Sequence, residues 1–243
     1  MLLRRGLRHA IRRPAAPRVQ RSASSQRNAT TTALPAALGL LGLGGASAWC
    51  LSIEDWSKRV DDPALEATFE GWTRADAAIV KDGLAANSAI YDALGARTEG
   101  LRAYKIFAKK DGSAVSAIAT FGDCCVGHPG VVHGGVTSLL FDNTLGWANA
   151  LSITKGGDPS NHDTVKQFGM TANLSVNYRR PLFVGQTVVI SCSLDRVEGR
   201  KRFLKGVMKD GKTGGVVADA TALYVVPRTA AEKAAGVKST WAK

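Results

Sequence analysis

The chain reads H-P-G-V-V-H-G-G-V-T-S-L-L-F-D-N from His128 to Asn143. Gly134 and Gly135 follow His133 and open an apolar run, which Asp142 interrupts with a carboxylate. If the run is a helix, its first amides have no intrahelical partner and lie at the positive end of the helix dipole. Glycine lets a ligand approach them closely. The start of the run can therefore receive an anion or an oxyanion. A glycine pair alone more often serves a tight turn. A charge among apolar residues is costly unless it is paired or used. Eight residues separate Gly134 from Asp142, roughly 12 Å along a helix axis. One carbonyl cannot touch both within a single helix. Either they are unrelated, with Asp142 bonded to a neighbouring backbone or basic group, or a second copy brings its Asp142 to this Gly134. Two antiparallel helices related by a two-fold axis would do so, which points to a dimer with shared sites.

A third set of polar residues lies on M-T-A-N-L-S-V-N-Y-R-R from Met170. Strict alternation gives Thr171, Asn173, Ser175, Asn177 and Arg179 one face, and Ala172, Leu174, Val176 and Tyr178 the other. Thr171 and Arg179 would then lie roughly 26 Å apart, which suits an extended ligand with a reactive end and a charged end. The ordinary alternative is a solvated strand face. Cys50, Cys124, Cys125 and Cys192 form no C-x-x-C pair, and neither they nor the histidines show metal-ligand spacing. Reduced thiols and no metal are the expectation.

The elements that hold these residues follow from pattern. Residues 61–95 read as helix, with Asp61 or Asp62 as cap, Pro63 at the first position and a partial stripe of Leu65, Phe69, Trp72 and Ile79. Residues 101–109 and 114–122 read as strands joined at Asp111-Gly112. After an irregular loop comes a helix from Gly134 to about Leu151, then a polar loop over 152–168, then four strand-like runs to residue 226. Tight turns between those runs imply an antiparallel sheet. A long apolar helix needs covering on most sides, so the predicted class is α+β, a curled antiparallel sheet round a central helix.

The net charge of +12 is unevenly placed. Residues 1–33 hold eight arginines and no acid, which leaves +4 on the remainder. A nucleic-acid partner is therefore not expected. An Arg-, Ser- and Ala-rich, acid-free start is the composition of a mitochondrial transit peptide. No charge occurs from Asn28 to Ile53, and residues 34–53 read as a transmembrane helix or an uncharged linker. Residues 227–243 form a polar tail.

Together H-G-G-V-T-S-L-L-F-D, M-T-A-N-L-S-V-N-Y-R-R-P-L and D-R-V-E-G-R-K give the chain a resemblance to the hot-dog-fold acyl-CoA thioesterases over about residues 61–226. The resemblance implies the hot-dog fold and hydrolysis of medium- or long-chain fatty acyl-CoA to fatty acid and coenzyme A. It implies no cofactor beyond the coenzyme A of the substrate, a homodimer or dimer of dimers, and a mitochondrial setting, in the matrix or at the inner membrane. By the same resemblance Asp142 is the base or nucleophile and the Gly134 amide the oxyanion donor. Thr171 holds water beside the carboxylate, and His133 supports the turn or contacts the thioester carbonyl. Asn177, Arg179, Arg200 and Lys201 match coenzyme-A-binding positions. His128 stands where some relatives carry Asn or Gln near the thioester. A non-catalytic acyl-CoA-binding protein, or an accessory subunit of a mitochondrial membrane complex, is the competing expectation. Asp123 and His128 also show the Asp-to-His offset of hydratases on a similar plan, but Cys125-Val126-Gly127 stands where those carry Asn-Pro.

Overall fold

The computed structural model describes residues 51–81, 83, 85–154 and 169–228. The expected transit peptide (1–33), nearly all of the uncharged stretch (34–53), most of the 152–168 loop and most of the 227–243 tail lie outside the described residues. Among the described residues no helix is long and apolar enough to cross a membrane.

The single helix expected over 61–95 does not form. Helix α1 (Ile53–Lys58) lies before it, and the stretch itself divides into α2 (Pro63–Ala67), β1 (Thr73–Arg74), α3 (Ala77–Lys81) and a π-helical segment, Ala89–Ala96. Asp62 caps α2 and Pro63 opens it, as expected. Left-handed backbone at Gly71 (φ 82°) and Asn87 (φ 61°) breaks helical continuity. The stripe residues also serve different surfaces. Phe69 stacks on Phe107 at 4.8 Å and meets Trp72 edge-on, whereas Ile79 lines a cavity beside the central helix. Trp56 of α1 is fully buried and its Nε1 donates to Leu101 O at 2.7 Å.

Strands β2 (Leu101–Ala108) and β3 (Val115–Phe121) form the hairpin that Asp111-Gly112 signalled. Then come the short pair β4 (Val126–His128) and β5 (Val131–Val132), and α4 (Gly134–Thr154). The last four strands are β6 (Met170–Tyr178), β7 (Thr187–Glu198), β8 (Lys201–Asp210) and β9 (Val216–Val225). The main sheet is antiparallel with order β1-β2-β3-β7-β8-β9-β6, so β6 is an edge strand. Helix α4 packs against β3, β6, β7, β8 and β9. Leu140, Phe141, Leu145, Ala148 and Leu151 recur at helical spacing and are buried against Ile190, Leu204, Met208 and Ala220. The α+β layout with a sheet about one long apolar helix is therefore observed.

The expected alternation of β6 fails at one point. Val176 pairs with Ala220 and Leu174 with Ala222, but the register slips between Thr171 and Asn173. Ala172 is the extra residue of a β-bulge, and a bulge reverses the faces of the residues beyond it. Thr171 thus pairs with Tyr224 on the side of α4, with Leu174, Val176 and Tyr178, while Asn173, Ser175 and Asn177 face away. The continuous polar face from Thr171 to Arg179 does not exist.

Candidate active site

The bulge delivers Thr171 to Asp142. Its Oγ1 donates to Asp142 Oδ1 at 2.9 Å. Tyr224 comes from β9, where its parity faces the helix, and its hydroxyl reaches Asp142 O at 2.9 Å and Oδ1 at 3.3 Å. Burial, together with the neighbouring carboxylate, pushes the Tyr224 phenol well above the ordinary tyrosine value, so it stays protonated and donates. Both partners are on the Oδ1 side. Among the described residues Asp142 Oδ2 has no hydrogen bond, which leaves one carboxylate oxygen to accept a proton. Asp142, Thr171 and Tyr224 line a cavity of about 380 Å³ that runs beside α4 past Gly146, Trp147 and Ala150. Sequence pattern did not single out Tyr224. The available signal was its place in V-V-A-D-A-T-A-L-Y-V, on the inward parity of a strand.

The start of α4 is built differently. His133 precedes it, and Nδ1 of that ring accepts from Gly135 N at 2.8 Å, so the ring proton sits on Nε2. His133 N donates to Cys125 O at 2.7 Å and its carbonyl accepts from Val136 N at 2.9 Å. The ring therefore acts as the helix cap. It consumes the Gly135 amide, and a Cβ on Gly135 would come within 2.9 Å of it. Gly134 N has no acceptor among the described residues and is the amide left to a ligand. Tyr178 Oη donates to Gly134 O at 2.9 Å and lies 2.6 Å from Ser138 Oγ, which ties β6 to the first turn. A second cavity, of about 410 Å³, lies here, lined by His128, Gly134, Thr137, Tyr178, Arg179 and Arg180 among others. His133 is not part of that lining, and its ring is engaged with the Gly135 amide.

The two cavities share no lining residue. Within one chain the Asp142 carboxylate and the Gly134 amide belong to separate places, as their spacing required.

The residues matched to coenzyme A do not converge within the chain either. Asn177 Nδ2 donates to Asp219 Oδ1 at 2.7 Å and Arg179 pairs with Asp219 Oδ2. Those two donors, Arg179 foremost, hold the Asp219 carboxyl below its usual range. Arg200 and Lys201 lie at the β7–β8 turn, level with Met170 and Val225, about 20 Å along the sheet from Asn177. Arg200 Nη1 donates to Val226 O at 2.7 Å. Sequence reading missed Arg180, which lines the Gly134 cavity and makes no ion pair with an acid among the described residues.

Cys125 is buried and its Sγ donates to Gly100 O at 2.8 Å; burial pushes its thiol up to about 11. It is therefore a packing residue and no nucleophile. Among the described residues no three or more His, Cys, Asp or Glu converge as a metal site.

Comparison with known proteins bears on this geometry. Residues 129–217, which hold Gly134, Asp142 and Thr171, match the thioesterase superfamily. The chain is 32% identical to acyl-coenzyme A thioesterase THEM4 of Bos taurus over 122 residues, 50% of this chain and 45% of that protein. It is 32% identical to the Xenopus laevis protein of the same name over 99 residues, 41% of this chain and 39% of that protein. The chain thus spans less than half the length of these relatives. A crystal structure of a thioesterase superfamily protein superimposes with a TM-score of 0.42 at 32% identity, covering 51% of this chain and 53% of the other.

Proposed function

We propose that this protein hydrolyses acyl-CoA thioesters to a carboxylic acid and coenzyme A, since residues 129–217 match the thioesterase superfamily. The observation that carries the reading is the Thr171–Asp142–Tyr224 cluster over a cavity. Asp142 Oδ2 takes a proton from a water as its oxygen adds to the thioester carbonyl. The resulting oxyanion is stabilised by a preorganised amide, which lowers the barrier because that charge appears only on the way to the intermediate. Collapse breaks the carbon–sulfur bond, and the proton held by Asp142 passes to the departing thiolate. Thr171 and Tyr224 hold the carboxylate in one orientation throughout. No metal or further cofactor enters this scheme.

The amide comes from a second copy of the chain. β6 runs from Thr171, beside Asp142, to Tyr178, beside Gly134, and one of its edges is unpaired in the sheet. An exposed strand edge is a template for pairing. Antiparallel pairing of two β6 strands, centred between Leu174 and Ser175, sets Thr171 opposite Tyr178 of the copy. Each Asp142 then approaches the other copy's Gly134, and two sites form per dimer. Coenzyme A would enter past His128, Arg179 and Arg180. Arg200 and Lys201 would reach the same ligand from the opposite chain, with guanidinium and ammonium groups suited to its phosphates.

Medium- to long-chain fatty acyl groups are the proposed substrates, since Ile79, Gly146, Trp147 and Ala150 make the cavity beyond Asp142 largely apolar. The proposed setting is mitochondrial, directed by residues 1–33 and with residues 34–53 as anchor or linker. A fluorescent reporter fused to residues 1–53 tests this; cytosolic fluorescence would overturn it. The activity is tested by thiol release from an acyl-CoA panel, with wild type active and Asp142→Asn inactive while coenzyme A still binds. Undiminished release by Asp142→Asn would overturn the assigned base.

A further inference from the structure

Gly146 lies one helical turn beyond Asp142 on the same face of α4 and lines the same cavity. A helix interior is a poor place for glycine, which loses more conformational freedom there than alanine does. Among the described residues neither backbone nor packing asks for it. Its φ is outside the left-handed region, and a Cβ built on it meets, among the described residues, only the Tyr224 hydroxyl, at 3.7 Å, an ordinary contact. What a side chain at 146 would occupy is the open space beside the carboxylate. Past it the wall continues with Trp147 and Ala150, and the distance from Asp142 to Ala150 is roughly 12 Å along the helix.

We propose that Gly146 determines which acyl groups the site accepts. Its missing side chain is the opening through which the acyl chain passes from Asp142 toward Ala150, lying along α4 against Ile79 and Trp147. The inference rests on the thioesterase reading and adds the direction of the chain and the residue that limits it. A side chain at 146 blocks the path roughly 6 Å along the helix from Asp142, so it penalises long acyl groups selectively.

The test compares wild type, Gly146→Ala and Gly146→Leu. Thiol release is measured from butyryl-, octanoyl- and palmitoyl-CoA, and binding of octanoate and palmitate is followed by calorimetry. For Gly146→Leu the ratio of kcat/KM for palmitoyl-CoA over butyryl-CoA falls about 100-fold, within the range that pocket-filling changes produce, and palmitate binding weakens more than octanoate binding. Gly146→Ala shifts the ratio in the same direction by less. It also raises Tm by about 2–4 °C, since the helix gains a better former. An unchanged ratio in an active Gly146→Leu enzyme overturns the inference. So does a lowered Tm or a loss of dimer in Gly146→Ala, which would show that the glycine serves close packing between copies. If wild type releases no thiol yet binds palmitate, and Gly146→Leu loses that binding, the activity reading falls and the chain path stands. If wild type neither releases thiol nor binds a fatty acid, both fall.

Discussion

The two ends of the functional half of α4 solve opposite problems. At its start the helix offers one backbone donor, Gly134 N, with Arg179, Arg180 and His128 around it and no carboxylate among the residues lining that cavity. Eight residues on, Asp142 offers a carboxylate steadied by Thr171 and Tyr224. In the proposed reaction the first end receives negative charge and the second generates a nucleophile. A thioester hydrolase needs both within about 3–3.5 Å of one carbon, and a single straight helix holds them roughly 12 Å apart. The proposed sharing of sites follows from that distance: a rigid helix forbids the internal solution.

The comparison can be broken most severely at Asp142. Asp142→Asn keeps shape and loses basicity, and kcat is expected to fall by about 10²–10⁴-fold, the worth of a positioned general base, in a thiol-release assay. Gly134→Pro is next. Proline is tolerated at the first helical position and removes the amide hydrogen, so kcat should fall about 10²–10³-fold, with an unchanged far-ultraviolet dichroism spectrum as the control for folding. These two variants also test the sharing of sites. Mixed and refolded together, half the dimers pair unlike chains and each of those keeps one intact site, so about a quarter of wild-type activity should return. No return would place both groups in one chain's own site.

Smaller effects sharpen the picture of each end. Thr171→Val removes a hydrogen bond to a charged group, worth ~1.5–3 kcal/mol, and should lower kcat/KM by about 10-fold or more. Tyr224→Phe should cost less, because its hydroxyl lies nearer the Asp142 carbonyl than the carboxylate. The Tyr224 phenol titrates above its ordinary value of 10.0, so it holds its proton over the neutral and mildly alkaline range. The basic limb of the pH–rate profile should therefore be the same in Tyr224→Phe as in wild type; a displaced limb would show that the phenol titrates in the working range. At the other end, Arg180→Ala should raise KM several-fold and steepen no salt dependence, whereas Arg179→Ala should raise it less, since Arg179 already answers to Asp219.

Much of the site was legible in advance because its signals are local. A carboxylate in an apolar run and a glycine pair at the run's start can be read from neighbours in the chain, and helix pitch alone separates them. The same was true of the hairpin at Asp111-Gly112 and the cap at Asp62. Where the reading failed, the deciding partner was remote. The 61–95 stretch has a helical texture, but Thr73 and Arg74 find strand partners in Ala108 and Phe107, and Asp76 is buried with its Oδ1 accepting from Arg74 Nε at 3.1 Å and Ile106 N at 3.3 Å. Those tertiary bonds outweigh weak helix propensity in a segment punctuated by Gly71 and Asn87.

The amino-acid sequence by itself determined the α4 helix, the glycine pair at its start, the carboxylate within it and the distance between them, because covalent order and helical rise are properties of the local chain. It also determined which residue types stand on β6. Only the tertiary structure decided which face each one takes. The bulge at Ala172 exists because β6 must meet β9 in a register that buries Tyr224 against α4, and one extra residue turns Thr171 from an outward-facing hydroxyl into the partner of Asp142. Alternation is a two-residue rule, and a single unpaired residue, chosen by a strand about fifty positions away in the chain, reverses it.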